Sequence, residues 1–300
     1  MSVISPNSFI YYDHFINDDD LVIVVSQSGC STNAIAALDY VKQRQLLAIG
    51  LTGNIHSDFE KHADIVIDYK VGIETIGYVT KGVVTLVLFL MLFALEASYQ
   101  NLMISKNQYQ KIIDELKEVP SRHQFVQEKT WEFYKQNKQS LDSMSIIYTC
   151  GFIQGYGIAL EGALKMGETI KIPSIAYEAE EFIHGPNLQL TPEYTVFLVD
   201  DMLEGRQRIV DIYQATKCMS DHVFMITNNK DIEDQYALRL PFDIIEPLLM
   251  PLYTMPFFQI IAYQVTNDLN KWNKHPLYVE FQKKVQSKTE MIKKVMPNRR

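Results

Sequence analysis

Two stretches of the chain bring together residue types that can do chemistry. In GYGIALEGALKMGETIKIPSIAYEAEEFIHGPN, residues 155–187, Glu161, Lys165 and Glu168 recur at helical spacing. That puts two carboxylates and an ammonium along one edge of a helix. Leu160, Ala163, Leu164, Gly167 and Ile170 form an adjoining apolar stripe, the mark of a helix laid against a core. Pro173 ends the helix, Ser174 to Tyr177 is a short extended run, and the chain then reaches Glu178, Glu180, Glu181 and a histidine in a His184-Gly185-Pro186 turn. A carboxylate and an imidazole near one pocket are what proton transfer on a sugar carbon needs. Periodicity by itself equally describes a solvated helix face followed by a surface turn.

The second stretch follows the apolar run Leu21 to Val25, which predicts a strand buried on both faces. It continues as Ser26-Gln27-Ser28-Gly29-Cys30-Ser31-Thr32, after which Ala34, Ile35, Leu38 and Val41 mark the apolar side of a helix. A strand feeding a hydroxyl-rich turn at a helix start makes an anion cradle, because backbone N–H groups and the helix dipole favour negative charge. The plainer reading is a helix capped after a strand. The turn is neither a Walker loop nor GxGxxG, so nucleotide binding is not indicated.

EGALKMGE, then a glutamate-rich turn and HGP, resembles the second sugar-isomerase (SIS) domain in the isomerase half of glucosamine-6-phosphate synthases. It resembles more closely the fructosamine-6-phosphate deglycases (fructoselysine and glucoselysine 6-phosphate enzymes) built on the same pair of domains. The second glutamate lies seven residues after the first and the histidine sixteen further on. SQSGCS, with Thr52, Ser57 and the run Ala63 to Ile67, looks like the opening SIS signature. The resemblance implies that Ser26, Gln27, Ser28 and Ser31 bind the sugar phosphate, that Glu168 is the enolisation base and that His184 is the ring-opening acid/base. In this family the histidine arrives from a neighbouring subunit, which implies a homo-oligomer, at least a dimer. Lys165 and Glu181 fall where the family places further pocket residues. Glu74 to Lys81 stands where it has a conformation-setting loop. Lys283 and Lys284 lie roughly where the synthases carry a lysine that forms a Schiff base, although the synthase tail sequence is not reproduced and a basic solvated tail is the plainer reading. No metal, flavin or nicotinamide is required.

These residues need elements to position them. Three hundred residues suit two domains, and 47% apolar with 21% charged residues is a globular composition. A net charge of −8 argues against a nucleic-acid partner. Cys30, Cys150 and Cys218 are scattered without a CxxC pair, suggesting a reducing, cytoplasmic setting. Strands alternating with helices imply an α/β chain of two flavodoxin-like, three-layer domains with parallel sheets. The expected divisions are a first domain at 1–100, a helical linker at 101–142 broken by Pro120, and a second domain with its tail at 143–300. Strands are expected at Leu46 to Leu51, Ile146 to Thr149, Tyr194 to Val199, Val223 to Thr227 and Phe242 to Ile245, and a long helix at Pro251 to Leu269. Gly82 to Ala97 reads as a helix buried against a sheet, because only 14 uncharged residues separate Lys81 from Glu96 and a membrane span needs about 20.

Ser2 to Ser26 can be laid on Ser174 to Asp200, so the first domain is expected to lack its initial strand and helices. Unpaired strand edges beside Leu21 to Val25 and weak activity would follow. After the matching strand the second domain has the acidic Asp200 to Glu204, which would repel phosphate and leaves that role to the first domain. The expected activity is deglycation of a 6-phosphorylated ketoamine. The alternatives are a synthase-like isomerising aminotransferase without its glutaminase domain, and a non-catalytic sugar-phosphate sensor.

Overall fold

The computed structural model describes residues 2–12, 16–72, 74 and 77–295. In chain order the elements are α1 (Pro6–Tyr12), β1 (Ile23–Val25), α2 (Thr32–Gln43), β2 (Ile49–Thr52), α3 (Phe59–His62), β3 (Ile65–Asp68), α4 (Lys81–Gln100), α5 (Lys106–Gln136), α6 (Lys138–Asp142) and β4 (Ile147–Gly151). Next come α7 (Ile153–Ile170), β5 (Ser174–Glu178), α8 (Ala179–Ile183), β6 (Thr195–Val199), α9 (Arg206–Thr216), β7 (His222–Thr227), β8 (Ala237–Arg239), α10 (Met250–Asp268), α11 (Tyr278–Val285) and α12 (Ile292–Val295). The chain divides into two compact units, Met1–Phe89 with Lys274–Arg300, and Leu90–Asn273. Residues 274–295, grouped with the second domain on sequence, thus pack with the first.

The first unit holds a parallel sheet ordered β1-β2-β3. Its core joins Val24 and Ala48 to Ala34, Ile35, Ala37, Leu38 and Val41 of α2 and to Phe59 of α3. Four of these α2 residues are those whose spacing predicted the helix face. Residues 6–12 form a helix rather than a strand, and among the described residues no strand pairs with the outer edge of β1. The expected burial of β1 on both faces is therefore not met: Val24 is inside, while Val25 is 41% exposed. Leu86 and Phe89 of α4 pack on Leu51, Tyr69 and Val71. Only 11% of α4's most apolar window is buried, so it is not the fully buried helix expected. The conformation-setting loop expected at Glu74 to Lys81 lies partly outside the described residues.

The second unit is a five-stranded parallel sheet ordered β5-β4-β6-β7-β8. Residues along each strand alternate between its two faces. Tyr148, Cys150, Val196, Leu198, Val223 and Met225 meet Ile209, Ile212 and Tyr213 of α9 on one side. On the other side Phe197 stacks on Phe224 and meets Phe257 and Phe258 of α10 edge-on. Two expectations fail here. Pro120 does not break α5, which runs from Lys106 to Gln136 because Val119, Val126, Thr130 and Phe133 are buried along one stripe. Nor do Phe242 to Ile245 form a strand. The buried Glu115 carboxylate accepts the backbone N–H of Ile245 at 3.0 Å and of Glu246 at 2.7 Å, diverting donors a ladder would need. The strand is β8, five residues earlier.

Candidate functional site

In the first unit, the predicted cradle is a tight loop between β1 and α2. The Ser26 N–H donates to the Leu51 carbonyl at 3.0 Å, and the Gln27 carbonyl accepts from Gly53 N at 3.0 Å and Thr52 Oγ1 at 3.2 Å. Within the turn, Ser28 Oγ accepts from Cys30 N at 3.2 Å and Ser26 Oγ donates to Ser31 Oγ at 3.1 Å. Gly29 has φ +60°, a left-handed conformation, and a Cβ there would stand 1.9 Å from Ser57 Oγ. Glycine is thus required for both backbone and space. That Ser57 hydroxyl and both amide atoms of Gln27 are buried with no hydrogen-bond partner. Buried polar groups rarely go unpaired, so these point to a ligand or solvent seat at the loop. The loop brings Ser26, Gln27, Ser28 and Ser31 together. Burial, above all other influences, pushes the neighbouring Cys30 thiol up.

In the second unit, α7 carries the predicted carboxylate–ammonium edge. Lys165 Nζ lies 2.5 Å from Glu168 Oε1 and 3.7 Å from Glu161 Oε1, with the lysine side chain only 4% exposed. Burial holds the Glu161 carboxyl above the ordinary range, an effect that Lys165 partly offsets. The glutamates of the following turn separate by task. Glu178 caps α8, its carboxylate accepting from Glu180 N at 2.8 Å and Glu181 N at 3.1 Å. Glu180 takes a two-point contact from Arg208, at 2.5 and 3.0 Å, which lowers its pKa. Glu181 is left exposed beside His184, whose N–H donates to the Glu181 carbonyl at 3.2 Å. Among the described residues no hydrogen bond or ion pair joins Glu168 to His184. No three His, Cys, Asp or Glu side chains among the described residues converge as metal ligands.

Residues 9–95, which contain the hydroxyl loop, match the family model of the SIS domain. This region is a SIS domain. Beyond it, the chain is homologous to the isomerase half of glutamine–fructose-6-phosphate aminotransferases. It is 28% identical over 263 residues to the isomerizing aminotransferase of Caldanaerobacter subterraneus, covering 86% of this chain and 42% of the relative. It therefore spans less than half the length of such curated relatives. A candidate phosphosugar isomerase of Clostridium difficile superposes with a TM-score of 0.83 at 26% identity, over 95% of this chain and 80% of the other. The C-terminal domain of a glucosamine-fructose-6-phosphate aminotransferase from Francisella tularensis shares the fold, with a TM-score of 0.82 at 21% identity over 92% and 78% of the two chains.

The SIS loop has a further contact that sequence reading missed. Lys288, in the tail, donates from Nζ to Ser28 Oγ at 3.3 Å and to Ser31 Oγ. No local spacing could reveal a partner 257 residues away in the chain. The two tail lysines singled out on sequence lie on α11. Lys284 is exposed and pairs with Glu280 at 3.1 Å, and Lys283 is exposed as well. Within the second unit, a cleft of about 490 Å³ opens beyond the ends of β4 and β6, lined by Phe152, Ile153, Asp201, Leu203, Glu204 and Arg208. Its position is the switch point of that sheet. Asp200, just behind it, is wholly buried and accepts from Met202 N and Thr227 Oγ1, so the acidic turn is partly a structural brace.

Proposed function

We propose that this SIS-family chain processes a phosphosugar and that its reaction is deglycation of a 6-phosphorylated ketoamine to an aldose 6-phosphate and a free amine. The observation that carries it is the Glu161–Lys165–Glu168 edge, where an ammonium almost out of solvent holds one carboxylate directly and a second at ion-pair distance. Such a setting suits a carboxylate that must give and take a proton. Glu168 removes the C1 proton of the open-chain ketoamine, giving an enaminol, and the proton returns at C2. Water then adds to the resulting imine and the amine leaves. His184 assists ring opening, supplied by the neighbouring subunit of a homo-oligomer, and the hydroxyl loop holds the phosphate. The substrate is a cytoplasmic metabolite.

A second reading is favoured by the aminotransferase homology itself, namely isomerisation of fructose 6-phosphate with ammonia to an amino sugar phosphate. One assay series separates them. Purified protein is given phosphorylated ketoamines and, in parallel, fructose 6-phosphate with ammonia, following glucose 6-phosphate and glucosamine 6-phosphate. Release of glucose 6-phosphate from a ketoamine supports deglycation, and amino sugar formation alone overturns it. Glu168→Gln keeps the side-chain shape but removes the base, so turnover should fall roughly 10²-fold or more with KM little changed. Ser28→Asp should abolish sugar-phosphate binding by placing a charge of the wrong sign in the cradle.

A further inference from the structure

The SIS loop is built to hold an anion with uncharged groups. Ser26 to Thr32 contains no lysine, arginine, histidine or carboxylate, only hydroxyls, an amide, a thiol and backbone N–H groups. A helix start contributes roughly half a positive charge, while a phosphate monoester carries about −1.5 to −2 at neutral pH. The charge missing from the loop is brought by the tail.

Residues 286–289 lie antiparallel against the loop, with Lys288 bridged to Ser31. Thr32 N donates to the Ser287 carbonyl at 3.2 Å, Thr289 N to the Cys30 carbonyl at 3.0 Å, and Thr32 Oγ1 to the Gln286 carbonyl at 3.0 Å. The Thr289 hydroxyl adds a bond to the Asp58 carboxylate. Docking of the segment thus rests on its backbone and on Thr289. The Lys288 side chain is directed at Ser28 and Ser31, two of the hydroxyls that would face a bound phosphate. The Ser57 hydroxyl, on a residue 2% exposed, stands unpaired against Gly29 of the same loop.

Resting on the proposed phosphate role of the loop, we infer that Lys288 is a direct ligand of that phosphate, a cation carried in by the tail to complete a neutral cradle. The ammonium now on Ser28 and Ser31 shifts to the anion, while the tail backbone stays in place. Ligand and tail then stabilise one another, because the docked segment contributes its charge only where the loop is occupied.

Calorimetric titration with fructose 6-phosphate, and with unphosphorylated fructose as control, tests this on the full chain. Lys288→Met keeps the apolar stem and removes the charge. Lys288→Arg keeps the charge, and circular dichroism with thermal melts confirms that each variant folds. Fructose 6-phosphate affinity should fall roughly tenfold or more in Lys288→Met. Its salt dependence should flatten, and Lys288→Arg should recover most of the loss. Equal affinity in wild type and Lys288→Met overturns the inference and leaves the loop assignment standing. An equal loss in Lys288→Arg also overturns it, since charge would not be what matters. If wild type binds no better than Ser28→Asp, the loop assignment fails and the inference with it.

Discussion

At the scale of single residues, the glutamates of the candidate site share a side chain and differ in everything else. Glu178 is spent on a helix cap and Glu180 on Arg208. Glu168 is hydrogen-bonded to Lys165 and 31% exposed. Glu161 is the one of this set that burial pushes up. None of these differences is written in local spacing, since they depend on what packs above each carboxyl. The Glu161 shift makes a pH prediction. Folded chain keeps this proton to higher pH than unfolded chain, so above the ordinary carboxyl value of 4.5 the folded state binds more protons. Stability from this group is fully present below that value and falls as pH rises through the folded value. Glu161→Gln removes the titration while Glu168 still faces Lys165. Urea unfolding from pH 4 to pH 8 should show the variant gaining on wild type as pH rises. A constant or shrinking difference would show that Glu161 ionises in the fold as freely as in water.

At the scale of elements, the alternation of strands and helices was readable, and so were parallel pairing, the α2 face and the extent of β4 to β7 within a residue or two. What was misread was which side of a helix goes inward. On α7 the spacing sets Leu160 and Leu164 on the core stripe, yet they are 49% and 60% exposed. Ala163 and Ile170 of the expected stripe are buried, but the buried face continues through Ile158, Ala159, Gly162 and Met166. Close approach to α10 explains the reversal, because a Cβ on Gly162 would come 2.7 Å from the Phe258 ring. Hydrophobic pattern ranks leucine above glycine, whereas a tight helix crossing ranks them the other way. The same helix supplies the control, since a Cβ on Gly157 would meet nothing within 4 Å. Gly162→Ala should therefore destabilise by about 1–3 kcal/mol through overpacking. Gly157→Ala should be neutral or stabilising by up to about 1 kcal/mol through helix propensity. Equilibrium unfolding of the two variants side by side decides it, and equal effects would remove the packing argument. Pro120 and the misplaced last strand have a related cause. Burial of Val119 with its neighbours and the buried Glu115 carboxylate override the local signals.

At the scale of the whole molecule, the outward leucines of α7 connect packing to function. Leu160 and Leu164 each sit next in sequence to a member of the polar edge, Glu161 and Lys165. An apolar strip beside a candidate catalytic edge is poorly served by water. Glu168 also makes no hydrogen bond or ion pair with His184 of its own chain among the described residues. Both observations suit the proposed arrangement in which a second copy covers this face and brings its histidine. The assembly should be at least a dimer at tens of micromolar, measured by light scattering behind size exclusion. Placing like charges on the strip with Leu160→Glu and Leu164→Glu should give a folded monomer. That monomer should still bind fructose 6-phosphate through the SIS loop, since the loop's named partners all lie in the first unit. Its ketoamine turnover should fall as far as in Glu168→Gln, whereas mixing Glu168→Gln with His184→Ala should restore part of the activity, because a hybrid sets the intact Glu168 of one copy against the intact His184 of the other. A monomeric wild type, or a charged variant that stays dimeric and active, would remove α7 from the interface and oblige Glu168 to work with groups of its own subunit.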